Sequence, residues 1–459
     1  MKYKFKTRPY RHQVRAIRKA LRSLNREGWA AFFMPMRSGK TKAVIDTICI
    51  LQMKYGVERV IIVAPLSVIG VWRNQLRIHK PDGFKFRIIL VNYEMVYARG
   101  ESEVGGAWEP KKRKELYKFK PQVIVVDESH KIGDPSAAQS KHLYYLQRQF
   151  PDCFKLIMTG TPFHRKPHKT YGQFRFANEN IFPMSYGAFK KRVSRWGGYG
   201  GFKYLGAKNE KWFLKKISRG TFMMKTLPYV KPQHEVVPYD LEESLPAYRS
   251  MADDSIADLG NGSMVEAPIA LTRALRLAQL CGGRLRDSEG VLCRVGQEKR
   301  RAFAGLVDQF VENEVDKFIV FHRFVPEMVD SIKECRSAGY RVYLMYGQTP
   351  GDLREQRIAA FDEAPGRAVF ISQVSTGALG IDLSAAAVAV FYSLPESLVD
   401  YDQDCARTRK WKDRRTLTYY YLTGRGTIEE AHLSALHANL SLIDALERDP
   451  MLLSYSARG

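Results

Sequence analysis

Cysteine is sparse, and none of it is arranged in pairs. The six cysteines (Cys49, Cys153, Cys281, Cys293, Cys335 and Cys405) are scattered through 459 residues with no C-x-x-C pair and no metal-ligand spacing. That pattern argues against a disulfide framework or a zinc site, and for small buried apolar residues in a reducing compartment. Long hydrophobic runs are missing too. The longest, Val60 to Trp72, is interrupted by Pro65 and Gly70 and is too short to span a bilayer. The first residues, Met1-Lys-Tyr-Lys-Phe-Lys, lack the apolar centre of a signal peptide. Tandem repeats, coiled-coil heptads and low-complexity tails are absent. The expectation is an intracellular, soluble chain with no membrane partner.

Acid is the other shortage. Lys and Arg outnumber Asp and Glu by 73 to 48, a net charge of +25. Such an excess favours a polyanionic partner, because each phosphate neutralised by Lys or Arg releases condensed counterions. What remains is the balance of a globular protein, 45% apolar and 26% charged, long enough for two or three domains.

Five short apolar runs in the first part of the chain predict buried strands: Ala30–Met34, Arg59–Val63, Phe86–Val91, Gln122–Val126 and Phe154–Met158. Five more follow later: Phe318–Phe321, Arg341–Met345, Ala368–Ile371, Val388–Phe391 and Leu417–Leu422. Near-continuous apolar strands alternating with helical segments suit parallel sheets covered on both faces. The expected fold class is α/β: two domains with parallel sheets, residues 1–165 and 301–459, and a mainly helical insertion and linker at 166–300. The insertion interleaves bases with aromatics (Lys190, Lys191, Arg192, Arg195, Trp196, Tyr199, Lys203, Tyr204, Lys211, Trp212). Two readings stand there: a grip on a phosphate backbone with stacking aromatics, or buried aromatics beneath a solvated basic face. Thr427 and Glu430 are spaced as a capping box before a closing helix, Ala431 to Leu446.

Met36-Arg-Ser-Gly-Lys-Thr41 follows the first strand and opens a helix expected at Lys42 to Met53. In that setting Met36, Arg37, Ser38 and Gly39 offer backbone N–H groups to phosphates at a helix N-terminus. Lys40 would reach the β- and γ-phosphates, and the Thr41 hydroxyl would ligate Mg²⁺. The first glycine usual in a phosphate loop is replaced by Met34. Val123-Ile-Val-Val-Asp-Glu-Ser-His130 is an apolar strand ending in adjacent carboxylates. Asp127 there suits the Mg²⁺ shell and Glu128 the attacking water. The two motifs together predict a nucleotide hydrolase using ATP and Mg²⁺.

The chain resembles superfamily 2 helicases, and within them the Swi/Snf-like branch of DNA translocases. Asp127-Glu-Ser-His130 looks like their DEAH-type box, and Arg8-Pro-Tyr-Arg-His-Gln13 like the N-terminal motif whose glutamine reads adenine. Val63-Ala-Pro-Leu-Ser67, followed by Trp72, resembles a motif that faces the nucleic-acid backbone, which implicates Pro65, Ser67 and Arg73. Asn92-Tyr-Glu-Met95 fits the next segment. Thr159-Gly-Thr-Pro162 is similar to the motif that couples the ATP site to strand movement, giving His130, Thr159, Gly160, Thr161 and Gln403 coupling roles. Further on, Phe318–Phe324 and Tyr346-Gly-Gln-Thr349 imply backbone contacts from Arg323, Gly347 and Thr349. Ser375-Thr-Gly-Ala-Leu-Gly-Ile-Asp-Leu383 implies contacts to DNA from Ser375 and Thr376, and to nucleotide from Gly380 and Asp382.

Gln403-Asp-Cys-Ala-Arg-Thr-Arg-Lys410 resembles the last family motif, where two arginines serve the γ-phosphate. Here Arg407 is followed by Lys410, a point charge rather than a bidentate fork, and Arg409 is the alternative. The resemblance implies two RecA-like lobes whose closing and opening drives a DNA-stimulated ATPase along double-stranded or branched DNA. It also implies protein partners in replication, recombination or repair. The compact form is that of a viral or bacterial version, in the cytoplasm of a bacterium or an infected host cell. An RNA helicase, a nucleic-acid-binding scaffold with a decayed ATP site, and the motor subunit of a larger machine remain the alternatives.

Overall fold

A computed structural model describes residues 3–104, 107–112, 114–160, 162, 166–197, 203–224, 230–258, 264–266, 270–374, 381–409, 414–438, 440, 442, 445–446 and 449–453. The chain divides into two compact units, Met1–Pro228 and Tyr229–Gly459. Each is built on a six-stranded sheet in which every pairing is parallel.

The strands of the first unit are β1 (Trp29–Phe33), β2 (Arg59–Val63), β3 (Arg87–Val91), β4 (Val123–Asp127), β5 (Phe154–Thr159) and β6 (Thr221–Met223). They lie in the order β6-β1-β5-β4-β2-β3. Period-two alternation of β1, β2 and β4 fills two separate cores, one on each face of the sheet. Trp29, Ala31, Phe33, Ile61, Val63, Ile124 and Val126 point into one. Ala30, Phe32, Val60, Ile62, Val123 and Val125 point into the other, which helices Arg11–Glu27 and Lys40–Tyr55 cover. Burial on both faces is why these strands read as unbroken apolar runs.

The second unit repeats the plan with β7 (Gln233–Tyr239), β8 (Lys317–His322), β9 (Arg341–Met345), β10 (Ala368–Gln373), β11 (Val388–Phe391) and β12 (Thr418–Gly424). Their order is β7-β12-β11-β8-β10-β9. Phe318, Val320, Val369, Ile371 and Val390 face one core, and Ile319, Phe321, Phe370, Ala389 and Phe391 the other.

The stretch 166–300 contributes to both units. It carries helices such as Tyr186–Val193, Glu210–Ile217 and Ala270–Cys281, and short hairpins at Ser194–Gly197/Lys203–Ala207 and Arg284–Arg286/Leu292–Arg294. It also supplies an edge strand to each sheet, β6 and β7, neither of which has an apolar run to announce it. The closing helix runs Ile428–His437, starting three residues before the expected Ala431. Thr427 caps it by accepting from the Glu429 N–H, while the Glu430 carboxylate accepts from Gly426 N–H at 3.0 Å, one residue before the cap. All six cysteines are buried and free. Among the described residues no helix is long and apolar enough to cross a membrane.

Candidate nucleotide site

Parallel pairing assembles the site in the first unit. Phe33 at the end of β1 is level with Thr159 of β5, and Asp127 of β4 with Met158. The loop after β1, the adjacent carboxylates and the Thr159-Gly160 segment therefore emerge at one edge of the sheet, where ligands of open α/β sheets bind. Gly39 turns the chain into helix Lys40–Tyr55 with φ 75° and ψ 40°. The conformation favours glycine, and a Cβ there would lie 2.1 Å from Gln13 Nε2 and displace the end of that side chain.

Gln13 braces this loop. Its Nε2 donates to the carbonyls of Ser38 and Gly39, both at 3.2 Å, and its Oε1 accepts from Tyr10 N–H at 2.8 Å. His12 Nε2 meets the same Ser38 carbonyl at 2.7 Å. The Gln13 amide, which the resemblance assigns to adenine, is thus engaged by the loop backbone. Lys40 is buried, and its ammonium donates to the carbonyls of Met34 (3.0 Å) and Pro35 (3.2 Å). Burial lowers its pKa, and the charges of Glu128 and Asp127 oppose that shift. Gly160 abuts the loop: a Cβ there would sit 3.2 Å from Met36 Cγ and 3.7 Å from Lys40 Nζ.

The carboxylates are held differently from one another. Asp127 is buried, and its Oδ2 accepts from the indole N–H of Trp72 at 2.8 Å while its Oδ1 accepts from Glu128 N–H at 2.8 Å. Glu128 has φ 49° and ψ 50°, a left-handed conformation that a non-glycine residue adopts at a cost. Its Oε2 accepts from the Thr159 hydroxyl at 3.1 Å, and His130 Nδ1 is 3.3 Å from the same oxygen. His130 and Thr159 touch each other at 2.9 Å, closing a three-residue ring. Burial and the neighbouring Glu128 charge raise the pKa of Asp127. For Glu128 burial also pushes upward, but the hydrogen bond and charge of His130, Lys40 and the Thr159 hydroxyl outweigh it and lower the pKa. One carboxyl is therefore poised to take positive charge and the other stays ionised beside a histidine.

These residues fit a magnesium nucleotide. Lys40, Thr41 and Asp127 supply an ammonium, a hydroxyl and a carboxylate at one sheet edge, the hard donor set that Mg²⁺ takes. The Ser38 hydroxyl is buried in the phosphate loop with no partner among the described residues, a donor ready for an anion.

Three contacts were not anticipated. Trp72 was expected only as a flank of a nucleic-acid motif, and its indole instead orients Asp127. Tyr93 donates to the backbone carbonyls of Asp127 and Glu128. Ser129 donates to Gln173 at 2.8 Å, and Gln173 donates to the Pro162 carbonyl at 2.9 Å, tying the carboxylate turn to the segment after Gly160. In the sequence Trp72 and Tyr93 stand out only as parts of family-like segments, and Gln173 carries no signal.

Elsewhere the predicted residues take varied positions. Pro65 is buried and Arg73 exposed; of Ser67 only the backbone is described. In the second unit Arg323 pairs with Glu396 at 2.8 Å. Thr349 is buried, its hydroxyl accepting from Tyr346 N–H at 3.1 Å, and Gly347 N–H donates to Gln373 at 3.2 Å. The Asp382 carboxylate accepts from Ser384 N–H at 2.9 Å. In helix Leu398–Thr408 Gln403 is half-buried and Arg407 is buried, with Nη1 2.9 Å from Asp404 Oδ1, an ion pair by distance though not aligned as a hydrogen bond. Thr161, Ser375, Thr376, Gly380 and Lys410 lie outside the described residues.

In the basic and aromatic stretch the two residue types stack on each other. Lys190 sits 3.9 Å over the Trp196 ring and Arg192 4.3 Å over Trp212. Trp196 and Trp212 are half-buried, while Lys191, Arg192, Arg195 and Lys211 are exposed.

The SNF2-related domain family matches residues 32–263, just over half of the chain. The protein belongs to the SNF2-related family. The helicase conserved C-terminal domain matches residues 298–412 of this SNF2-related protein, so the two sheets are its two RecA-like lobes. An ISWI chromatin-remodeling complex ATPase of Arabidopsis thaliana is 23% identical over 402 residues, 78% of this chain and 34% of that protein. An uncharacterized ATP-dependent helicase of Mycoplasma pneumoniae is 22% identical over 324 residues, 67% of this chain and 29% of that one. The chain spans about a third of the length of these curated relatives. Among solved structures, a Sulfolobus solfataricus SWI2/SNF2 ATPase core in complex with dsDNA aligns over 99% of both chains at 17% identity, with a TM-score of 0.43. Membership of the family implies use of a nucleotide.

Proposed function

We propose that this SNF2-related protein hydrolyses ATP with Mg²⁺ and uses the energy to translocate along or remodel DNA. The observation that carries the reading is the single edge of the first sheet where Asp127, Glu128, His130 and Thr159 form one hydrogen-bonded set, with the buried Lys40 ammonium held by the Met34 and Pro35 carbonyls within reach of both carboxylate charges. Lys40 and the loop N–H groups bind the phosphates. Thr41 and Asp127 would hold the ion, which when bound would supply positive charge beside the transferring phosphoryl group. Glu128, held ionised by His130 and Thr159, orients and deprotonates water. Thr159 reports on the protonation and position of Glu128, and through Gly160 it adjoins the phosphate loop, so nucleotide state has a short route into the segment assigned to coupling. Arg407 completes the charge set in a closed state of the two lobes, released from Asp404 by the developing γ-phosphate charge. Cycles of closing and opening then ratchet the phosphate backbone, with contacts that carry little sequence preference.

The test is ATP hydrolysis by the purified protein alone and with double-stranded, single-stranded or forked DNA, or RNA, with Lys40→Ala as the blank. Stimulation by DNA that is lost in the mutant is the expected result. Stimulation by RNA alone would replace DNA with RNA as the track. No hydrolysis with any nucleic acid would leave a binding scaffold and refute the motor.

A further inference from the structure

Helix Arg11–Glu27 shows its two faces very differently. Gln13, Ala16, Ile17, Ala20, Ser23 and Leu24 are buried against β1 and helix Lys40–Tyr55. Arg11, Arg15, Arg18, Arg22 and Arg26 are all exposed. At about 100° per residue these five fall within an arc of roughly 80°, a single stripe about 22 Å long at 1.5 Å rise per residue. None of the five makes an ion pair or hydrogen bond to another described residue. The one acid of the helix, Glu27, accepts from the Trp29 indole instead. Like charges at i,i+3 and i,i+4 oppose helix formation, so the stripe weakens the helix that displays it and the fold draws nothing from it.

We propose that this stripe is a second nucleic-acid surface, one that binds the phosphate backbone of a duplex outside the track served by the motor. Phosphate arrays are its natural partner. The stripe is linear and all arginine, the side chain that takes phosphate oxygens bidentately. A duplex segment of the same length carries about a dozen phosphates. A protein partner is disfavoured because no apolar anchor lies within the stripe: the exposed aromatics Tyr10 and Tyr55 sit only at its two ends, Tyr10 before Arg11 and Tyr55 bonded to Asn25, and protein interfaces centre on buried aromatic or aliphatic groups. The stripe starts at the nucleotide edge and leads away from it. The helix begins beside the phosphate loop, where Gln13 and His12 hold Ser38, and ends two residues before β1 starts at Trp29. Its stripe thus runs from the nucleotide edge of the sheet back to the opposite edge. A duplex lying there would keep the motor close to DNA while the track is released between cycles. The inference relies on the motor reading only in taking DNA as the polyanion.

The test measures affinity of the full chain for a 40-base-pair duplex against salt. Arg15→Gln, Arg18→Gln, Arg22→Gln and Arg26→Gln are combined in one variant, and the same four are changed to Lys in another. With four phosphate contacts removed, the slope of log affinity against log salt should become shallower by about 3 to 4, with binding at least tenfold weaker at physiological salt. The lysine variant should keep the steep slope. Independently, Arg22→Cys carrying a photoreactive group should cross-link to bound duplex; the six native cysteines are buried and will not compete for the label. A parent that binds DNA with the same slope as the glutamine variant, or a label that leaves bound duplex unmodified, overturns the second surface and leaves the motor standing. A parent that binds no duplex overturns both.

Discussion

Replacing Trp72 with Phe isolates one contact that the motor mechanism needs. The indole N–H of Trp72 donates to Asp127 Oδ2 at 2.8 Å, and both residues are buried. Phe fills most of the same space and removes the donor. A hydrogen bond to a buried charged acceptor contributes about 1.5–3 kcal/mol, and about 1.4 kcal/mol corresponds to a tenfold change in an equilibrium constant. If that energy orients the carboxylate that holds Mg²⁺, the concentration of Mg²⁺ for half-maximal hydrolysis should rise about 10- to 100-fold, the range typical for loss of a partner behind a metal ligand. The assay is a Mg²⁺ titration of DNA-stimulated ATP hydrolysis, run beside thermal unfolding. The first unit spans Met1–Pro228, a size at which each kcal/mol shifts Tm by about 2–4 °C, so Tm should fall by roughly 3–12 °C. A folded variant with a lower Tm and an unchanged Mg²⁺ requirement would refute the reasoning, because Trp72 would then only pack.

Three further outcomes are expected. Glu128→Gln keeps the shape of the site and removes the base, so single-turnover hydrolysis should fall about 10²- to 10⁴-fold while nucleotide binding, read by fluorescence, persists. Glu429→Ala strips the partner from Lys299, whose ammonium is buried against it in the second unit; an uncompensated buried charge costs about 3–5 kcal/mol, measurable as a lower Tm. His432 is held at a pKa of about 3 by burial, with the Arg323 charge adding to the effect. The unfolded chain therefore takes up this proton near pH 6.5 and the folded chain does not, so stability is present above that pH and is lost as pH falls toward 3. At about 1.4 kcal/mol per pH unit the loss between pH 7 and pH 5 is about 2 kcal/mol, and His432→Gln should flatten the denaturation midpoint over that range.

How much of this was legible in the sequence depended on burial. Ten of the twelve strands announced themselves, eight of them central with both faces covered: Val60 and Ile62 meet one core, Ile61 and Val63 the other, and the run reads as continuous. Of the four edge strands, β3 and β9 carry apolar runs and so announced themselves, whereas β6 and β7 escaped. β6 is three residues long, and β7 exposes most of its side chains, alternating neither as a half-buried strand nor running apolar as a central one. The proposed nucleotide motifs stand out in the sequence because a phosphate loop and a Mg²⁺ carboxylate would need particular residue types at particular strand ends. Their supports were not. Trp72 reaches Asp127 from 55 positions away and Gln173 reaches Ser129 from 44, and side chains that far apart meet only through the strand order β5-β4-β2, which no local pattern encodes. Arg407 shows the same limit from the other side. Its spacing singled out an arginine in helix Leu398–Thr408, but only the fold shows it buried against Asp404, whose pKa burial pushes up to about 7 against the pull of the Arg407 charge. A cation held that way is not idle at the surface. In the proposed mechanism it would leave that carboxylate for a phosphoryl oxygen, and the burial that raises the Asp404 pKa, by weakening the hold of the carboxylate on the cation, would ease the exchange.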